Sequence, residues 1–171
     1  MIRMMGSLLI GGTAAYMGIS VSERLKAQLK AVSALRNDIL QMRQKLIWYR
    51  LPLPAMLREV SVEQAGIYSA MYARAAARLE TDRRKTAERI LMECMNQEKG
   101  IQLPERAKQT CHHLFAALGK ADAKHQEDVL NRTIEELDRL EAQLREDVRR
   151  QSRCWCALGI CGGLAIAILL V

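Results

Sequence analysis

Aromatic residues and prolines are scarce in this chain. Aromatic side chains make up 4% of the 171 residues, and the three prolines are Pro52, Pro54 and Pro104. We find no alternating strand pattern of useful length, which argues against a β-rich fold. The remaining composition is rich in Ala, Leu, Glu, Arg and Lys, and it predicts an all-α fold arranged as a helical bundle.

Residue patterns for catalysis and metal binding are also missing. The two Gly-Gly pairs, 11–12 and 162–163, lie in apolar segments, so neither suits a phosphate-binding loop. The nearest candidate for a metal site is Cys111-His112-His113. Successive residues of a helix point about 100° apart, however, and do not converge on one ion. We therefore predict no enzymatic activity, no cofactor, no metal and no small-molecule substrate.

Charged residues are absent from two long segments. Residues 4–22 and 154–171 contain no Asp, Glu, Lys or Arg. A helix of 18 residues, the length of the second segment, spans roughly 27 Å, close to the ~30 Å hydrocarbon core of a bilayer. Both segments are therefore predicted transmembrane helices. Small residues that we expect to pack the two spans together are Gly11, Ala15, Gly159 and Gly163.

Each segment has an alternative interpretation. Residues 154–171 also suit a buried core helix, although buried helices seldom lack polar residues over such a length. Residues 4–22 also suit a secretory signal peptide, with Arg3 before the apolar run and the small residues Gly18 and Ser20 near its end. Against cleavage, this run is longer than a usual signal core and continues into a strong helical pattern.

Residues 23–153 carry almost all of the charge and form the predicted soluble domain. The whole chain has a net charge of +7. Basic residues within 15 positions of either span, on the side of this domain, are Arg24, Lys26, Lys30, Arg36, Arg139, Arg145, Arg149, Arg150 and Arg153. The positive-inside bias therefore predicts a cytoplasmic domain. The five cysteines have no framework spacing, which agrees with a reducing compartment. Acidic residues are interspersed and no aromatic ladder accompanies the bases, so we expect no nucleic-acid binding.

A heptad pattern follows the first apolar segment. Its stripe consists of Leu25, Val32, Leu35, Ile39, Met42, Leu46 and Tyr49, and only Gln28 interrupts it. Such a stripe predicts a long helix that packs against others until Pro52 and Pro54 stop it. Pro54 suits the first turn of the next helix, and residues 61–64 have the spacing of a capping box that would start another.

Short helices are then predicted from apolar faces. The residues of these faces are Ala65, Tyr68, Met71, Tyr72, Ala75, Ile90, Leu91, Cys94, Met95, Cys111, Leu114, Phe115 and Leu118. Gly100 is a predicted left-handed stop, and Asp122 is a predicted N-cap of a long last helix. The buried stripe of that helix is Leu130, Ile134, Leu137, Leu144 and Val148. Two long outer helices that continue into the apolar segments are thus expected to flank the short ones.

Three stretches together resemble the stage III sporulation protein AB family of endospore-forming bacteria. They are the apolar helix with its heptad and RLPLPAML, the stretch KGIQLPERAKQTCHHLFAALGKADAKHQEDVLNRTIEELDRLE, and GICGGLAIAILLV. The most specific part is Leu118-Gly119-x-x-Asp122-x-x-x-Gln126. Ala121 departs from the Ser or Thr that the family commonly has before the Asp, while the Asp and the Gln are in place.

The resemblance implies a membrane protein of the mother-cell side, in the outer forespore membrane. Its family looks like half of the platform protein of type II secretion and type IV pilus machines. The resemblance further implies that the chain belongs to a channel complex between mother cell and forespore and docks the ATPase stage III sporulation protein AA. Its other implied partners are further stage III sporulation proteins and the lipid bilayer. The family offers no catalytic residues to carry over.

Five residues of the matching stretches are candidates for an interaction or structural role: Gly119, Asp122, Gln126, Pro52 and Pro54. For Asp122 and Gln126, an N-cap with a polar residue one turn later competes with direct contact to a partner. Alternative functions are a two-span helical signalling or adaptor protein, and a secreted helical protein tethered by its tail.

Overall fold

The structure, a computed structural model, describes most of the chain. Its backbone is described for residues 2–49, 51–64, 66–82, 84–98, 100–118 and 123–170. Side chains are described over the same ranges except residues 2–21, 123–124, 152–153 and 155–170. Every regular element in these ranges is a helix, which confirms the predicted all-α class.

Two long helices flank four short ones, as the periodicity predicts. In chain order the helices are α1 (Ile2–Gln44), α2 (Leu53–Glu63), α3 (Ser69–Thr81), α4 (Ala87–Gln97), α5 (Glu105–Leu118) and α6 (Ala123–Leu170). A π-helical segment, Lys45–Tyr49, follows α1 directly. Each short helix packs against the next, α2 on α3, α3 on α4 and α4 on α5.

The chain divides into two compact units. One unit is Lys30–Glu141, and the other combines Met1–Leu29 with Ala142–Val171. Within the described residues, no helix holds a segment that is both long and apolar enough to cross a bilayer. The predicted spans lie outside the residues with described side chains, apart from Ser22 and Cys154. The same is true of the predicted packing residues Gly11, Ala15, Gly159 and Gly163.

The core of Lys30–Glu141 takes one face from each helix. From α1 it takes the middle of the heptad stripe, where Val32, Leu35, Ile39 and Met42 are at most 1% exposed. The predicted faces of the short helices are also confirmed as buried, apart from Ala65, which lies outside the described residues. Their core residues are Tyr68, Met71, Tyr72, Ala75, Ile90, Leu91, Cys94, Met95, Cys111, Leu114, Phe115 and Leu118. From α6, Leu130, Ile134 and Leu137 are buried, as the stripe predicts.

The end of the heptad stripe differs from the prediction. Tyr49 was expected in the seam but is 73% exposed, while Lys45 is buried. The cause is the π-helical segment Lys45–Tyr49. Its i→i+5 bonding places more residues in a turn than an α-helix does, so the side chains that follow leave the heptad register.

The connections between the short helices correct two further expectations. The capping box at residues 61–64 is wrong, because α2 continues to Glu63 and α3 begins only at Ser69. Ser61 is instead buried, and its hydroxyl donates to the carbonyl oxygen of Arg58 at 2.6 Å. The left-handed stop at Gly100 is also wrong, since its φ lies outside the left-handed region and α4 already ends at Gln97.

A carboxylate lies in the core of this unit. Asp38 on α1 is only 4% exposed, and the hydroxyl of Tyr72 on α3 hydrogen-bonds to it. Burial raises the pKa of Asp38 to about 6, and the Tyr72 hydrogen bond opposes part of that rise. Beside it, the hydroxyl of Tyr68 donates to the carbonyl oxygen of Ala31 at 3.0 Å. These polar groups join α3 to α1 at the centre of the bundle.

Replacement of this carboxylate tests its effect on stability. The pKa of Asp38 rises from 3.8 to about 6 on folding, so the folded state holds the proton more tightly than the unfolded chain. Binding of this proton therefore stabilises the folded state. The stabilisation is complete below pH 3.8 and is lost as the pH rises through 6. We expect Asp38→Asn, which stays uncharged, to raise the free energy of unfolding by about 1–3 kcal/mol at pH 7.5.

The measurement is urea unfolding of the variant between pH 3.5 and pH 7.5, followed by circular dichroism. The gain should shrink towards zero at the acid end of the series. The exposed Asp128→Asn is the matched control and should change stability little at any pH. Equal stability of Asp38→Asn and the native chain at pH 7.5 would show that the buried carboxylate carries no penalty.

Candidate interaction surfaces

The Cys111-His112-His113 sequence does not form a ligand set. Cys111 is buried in the core, whereas His112 and His113 are exposed. His112 Nε2 lies 3.1 Å from Glu88 Oε1, which joins α5 to α4. Burial raises the pKa of the Cys111 thiol to about 12, so it stays protonated at neutral pH and is a poor nucleophile. No metal-ligating cluster occurs among the described residues.

The connection between α5 and α6 holds the most specific part of the family-like stretch. Gly119 and Asp122 lie outside the described residues. Gln126, in the first turns of α6, donates from Nε2 to the carbonyl oxygen of Leu118 at 3.2 Å. Leu118 is the last residue of α5, where backbone carbonyls lack partners within the helix. Gln126 thus supplies a donor to the C-terminal end of the preceding helix.

The two prolines of RLPLP shape the turn from α1 to α2. Pro52 is the N-cap of α2 in an extended conformation (φ −63°, ψ 147°), and its carbonyl accepts from Met56 N at 3.0 Å. Pro54 is the second residue of α2, where the missing N–H removes no helical hydrogen bond, so the prediction that it starts this helix is confirmed. Both prolines therefore have a structural explanation within the turn.

Two large aromatic side chains just before this turn face solvent. Trp48 is 79% exposed and Tyr49 is 73% exposed. We call this pair the aromatic surface. An exposed Trp and Tyr side by side are typical of protein interaction sites, where both residue types are enriched among energetically important contacts.

Ion pairs hold the segment that carries the aromatic surface. Lys45 Nζ lies 2.7 Å from Glu59 Oε2 and 2.9 Å from Glu63 Oε1, both on α2. Hydrogen bonds to these two carboxylates raise the pKa of Lys45. The buried lysine anchors the π-helical segment to α2, so Trp48 and Tyr49 sit on a braced element.

Sequence patterns alone did not single out this surface. The heptad pattern predicts a buried Tyr49 in the seam and no role for Trp48. The available signal was Trp48 itself, a large aromatic two residues after the seam position Leu46, on the side of the stripe that faces solvent. Nothing in the sequence marks the π-helical segment.

The described residues define the class of protein as an all-helical bundle in which four short, sequentially packed helices lie between two long ones in chain order. Comparison with known proteins narrows this class. The family model of stage III sporulation protein AB matches residues 3–171. The chain therefore belongs to the stage III sporulation protein AB family, as the resemblance of its motifs indicated, and it has a role in sporulation.

A solved structure shares the fold. The structure titled stage III sporulation protein AB (SpoIIIAB) superposes with a TM-score of 0.65 at 13% sequence identity, covering 72% of this chain and 97% of that one. At this identity the likeness supports the bundle fold alone. No curated protein matches the chain.

The capping bond of Gln126 gives a test. We expect Gln126→Ala to lower the free energy of unfolding by about 1 kcal/mol, because the terminal carbonyl of α5 loses its donor. Gln126→Glu, which keeps the size but cannot donate, should lose at least as much. Chemical unfolding of both variants measures the effect, with the exposed neighbour substitution His125→Ala as control. If Gln126→Ala lowers the free energy of unfolding no more than His125→Ala does, Gln126 does not stabilise the end of α5.

Proposed function

We propose that the chain is a non-enzymatic platform subunit of a secretion-like channel complex between mother cell and forespore. In this proposal it docks a cytoplasmic ATPase, stage III sporulation protein AA, and assembles with other stage III sporulation proteins. Family membership supports a role in sporulation, and the platform and channel roles are what the resemblance to that family implies.

One observation carries the docking part of the proposal: the aromatic surface of Trp48 and Tyr49. A protein without a partner gains nothing by holding two aromatic rings in water, since burying each ring would be worth about 1.5–3 kcal/mol. The ion pairs of Lys45 hold these rings in a defined place before contact, so little conformational entropy is lost on docking. We propose that the ATPase covers this surface.

Removal of both rings tests the docking surface. We expect the double variant Trp48→Ala, Tyr49→Ala to lose at least tenfold in affinity for the ATPase, since truncating one interface hot spot typically costs 2 kcal/mol or more. The measurement is quantitative pull-down of the purified ATPase, with circular dichroism to show that the bundle still folds.

The matched control for the docking test is Gln109→Ala, His113→Ala. These two side chains are exposed and one turn apart on α5, a different helix from the π-helical segment. The control should bind as the native chain does. Undiminished binding by a folded aromatic variant would assign docking to another surface.

We further propose that residues 4–22 and 154–171 attach the chain to the membrane as two spans, with residues 23–153 as the cytoplasmic domain. The supporting observation is the absence of charge over each segment, combined with the basic residues beside both. In the proposed assembly these spans place the docking domain at the mother-cell face of the outer forespore membrane.

Truncation tests the second span. We expect deletion of residues 154–171 to release much of the protein from membranes, because the remaining run of residues 4–22 includes glycines and polar residues that weaken its insertion. Sedimentation and carbonate extraction of membranes measure the release, and protease protection in vesicles reports the side of the domain. A truncated chain that stays fully bound and supports sporulation would show that this segment is not an essential anchor.

A further inference from the structure

A cavity lies along one side of α6 in the unit that contains Ala142–Val171. Its volume is about 600 Å³, which is within the usual range of small-ligand sites. The described residues that line it are Ala142, Arg145, Glu146, Arg149, Arg150 and Cys154. Counted from Ala142, the others follow at 3, 4, 7, 8 and 12 positions, so all six lie on one face of the helix over about 18 Å. We call this face the arginine cavity.

The arginine cavity is strongly basic. Among the described residues that line it, Arg145, Arg149 and Arg150 are basic and Glu146 is acidic. Arg149 and Arg150 are exposed and form no ion pair with any residue whose side chain the structure describes. Elsewhere on the chain many basic side chains are paired, as Lys45, Arg58 and Lys85 are. Two arginines that lack an ion-pair partner among the described side chains favour an anionic ligand.

Phosphate suits these residues best. A guanidinium group offers parallel N–H donors that match two phosphate oxygens. Arg149 and Arg150 point about 100° apart on the helix, but their side chains are long enough to reach one phosphate from both positions. Residues 148–171 contain no acidic residue, so the potential becomes more positive along α6 beyond Asp147.

The position of the cavity along α6 indicates an amphiphilic ligand. Cys154 lines one end of it and is also the first residue of the uncharged segment 154–171. A ligand with its phosphate at Arg149 and Arg150 would extend apolar chains beside that segment. A phospholipid has this arrangement of charge and hydrocarbon, whereas free phosphate would use only the basic part.

We propose that the arginine cavity binds the phosphate headgroup of an anionic phospholipid, with Arg149 and Arg150 as the principal ligands. The lipid source of the phosphate rests on the proposed membrane attachment, whereas recognition of the phosphate itself does not. Bound in this way, an anionic lipid would set the depth and rotation of α6 at the membrane surface, beyond what the apolar segment alone fixes.

The test uses the full-length chain in neutral detergent. Binding of fluorescent phosphatidylglycerol, of fluorescent phosphatidylcholine and of inorganic phosphate is measured in separate titrations. We expect a clear preference for phosphatidylglycerol that weakens roughly 30-fold in Arg149→Gln, Arg150→Gln. Arg149→Lys, Arg150→Lys keeps the charge but not the paired donors, and it should lose less.

The matched control is Arg132→Gln, Arg139→Gln. It removes the same charge from exposed positions of α6 that do not line the cavity, and it should keep most of the affinity. Equal losses of phosphatidylglycerol affinity in the two double glutamine variants would show that only net charge matters, and this would overturn the site. Binding of neither phosphatidylglycerol nor phosphate above the phosphatidylcholine level would also overturn it. Binding of phosphate with no lipid preference, lost in the cavity variant alone, would keep the anion site and reject the lipid as its source.

Membrane attachment is tested separately, by flotation of the chain with vesicles that contain phosphatidylcholine only. Flotation without preference for phosphatidylglycerol or phosphate rejects the arginine cavity and leaves the attachment intact. Absence of flotation together with phosphate binding that depends on Arg149 and Arg150 rejects the attachment and leaves the anion site.

Discussion

Burial of the apolar stripe of α1 is the interaction on which the bundle depends. The short helices have 11, 13, 11 and 14 residues, lengths at which isolated helices are marginal in water. They are stable because their apolar faces pack together with Val32, Leu35, Ile39 and Met42 of α1. Each buried side chain of this kind contributes about 1.5–3 kcal/mol relative to exposure, which the helical propensity of the short segments cannot match.

Polar groups join the apolar core at a few defined points. Tyr68 and Tyr72 reach α1 through the carbonyl of Ala31 and the carboxylate of Asp38. Such bonds add little net stability, and the buried carboxylate costs stability at neutral pH. They do limit the ways in which α3 can pack against α1, because any shift would leave buried polar atoms without partners. The same pairing explains why α3 occupies one register along the long helix.

We propose that the chain is a scaffold with two kinds of contact. Its core uses most of the large apolar residues of the short helices, so we expect contacts with other molecules to involve exposed groups. One group is the aromatic surface on its braced π-helical segment. The other is the arginine cavity, where guanidinium groups lie next to an uncharged segment. Aromatic rings suit a protein partner, and arginines suit phosphate.

The sequence by itself determined the all-α class, the two long outer helices and the inward faces of the short ones, because apolar periodicity reports directly which residues must leave water. It also identified the family through the prolines of RLPLP and the residues around Asp122 and Gln126. Only the tertiary structure decided the register after Met42, the burial of Lys45 and Asp38, and the partner of Gln126. Each of these depends on a side chain from a distant part of the chain: Glu59 and Glu63 for Lys45, Tyr72 for Asp38, and the end of α5 for Gln126. Periodicity describes one helix at a time, whereas the place of a charged or polar residue is decided by the neighbour that compensates it.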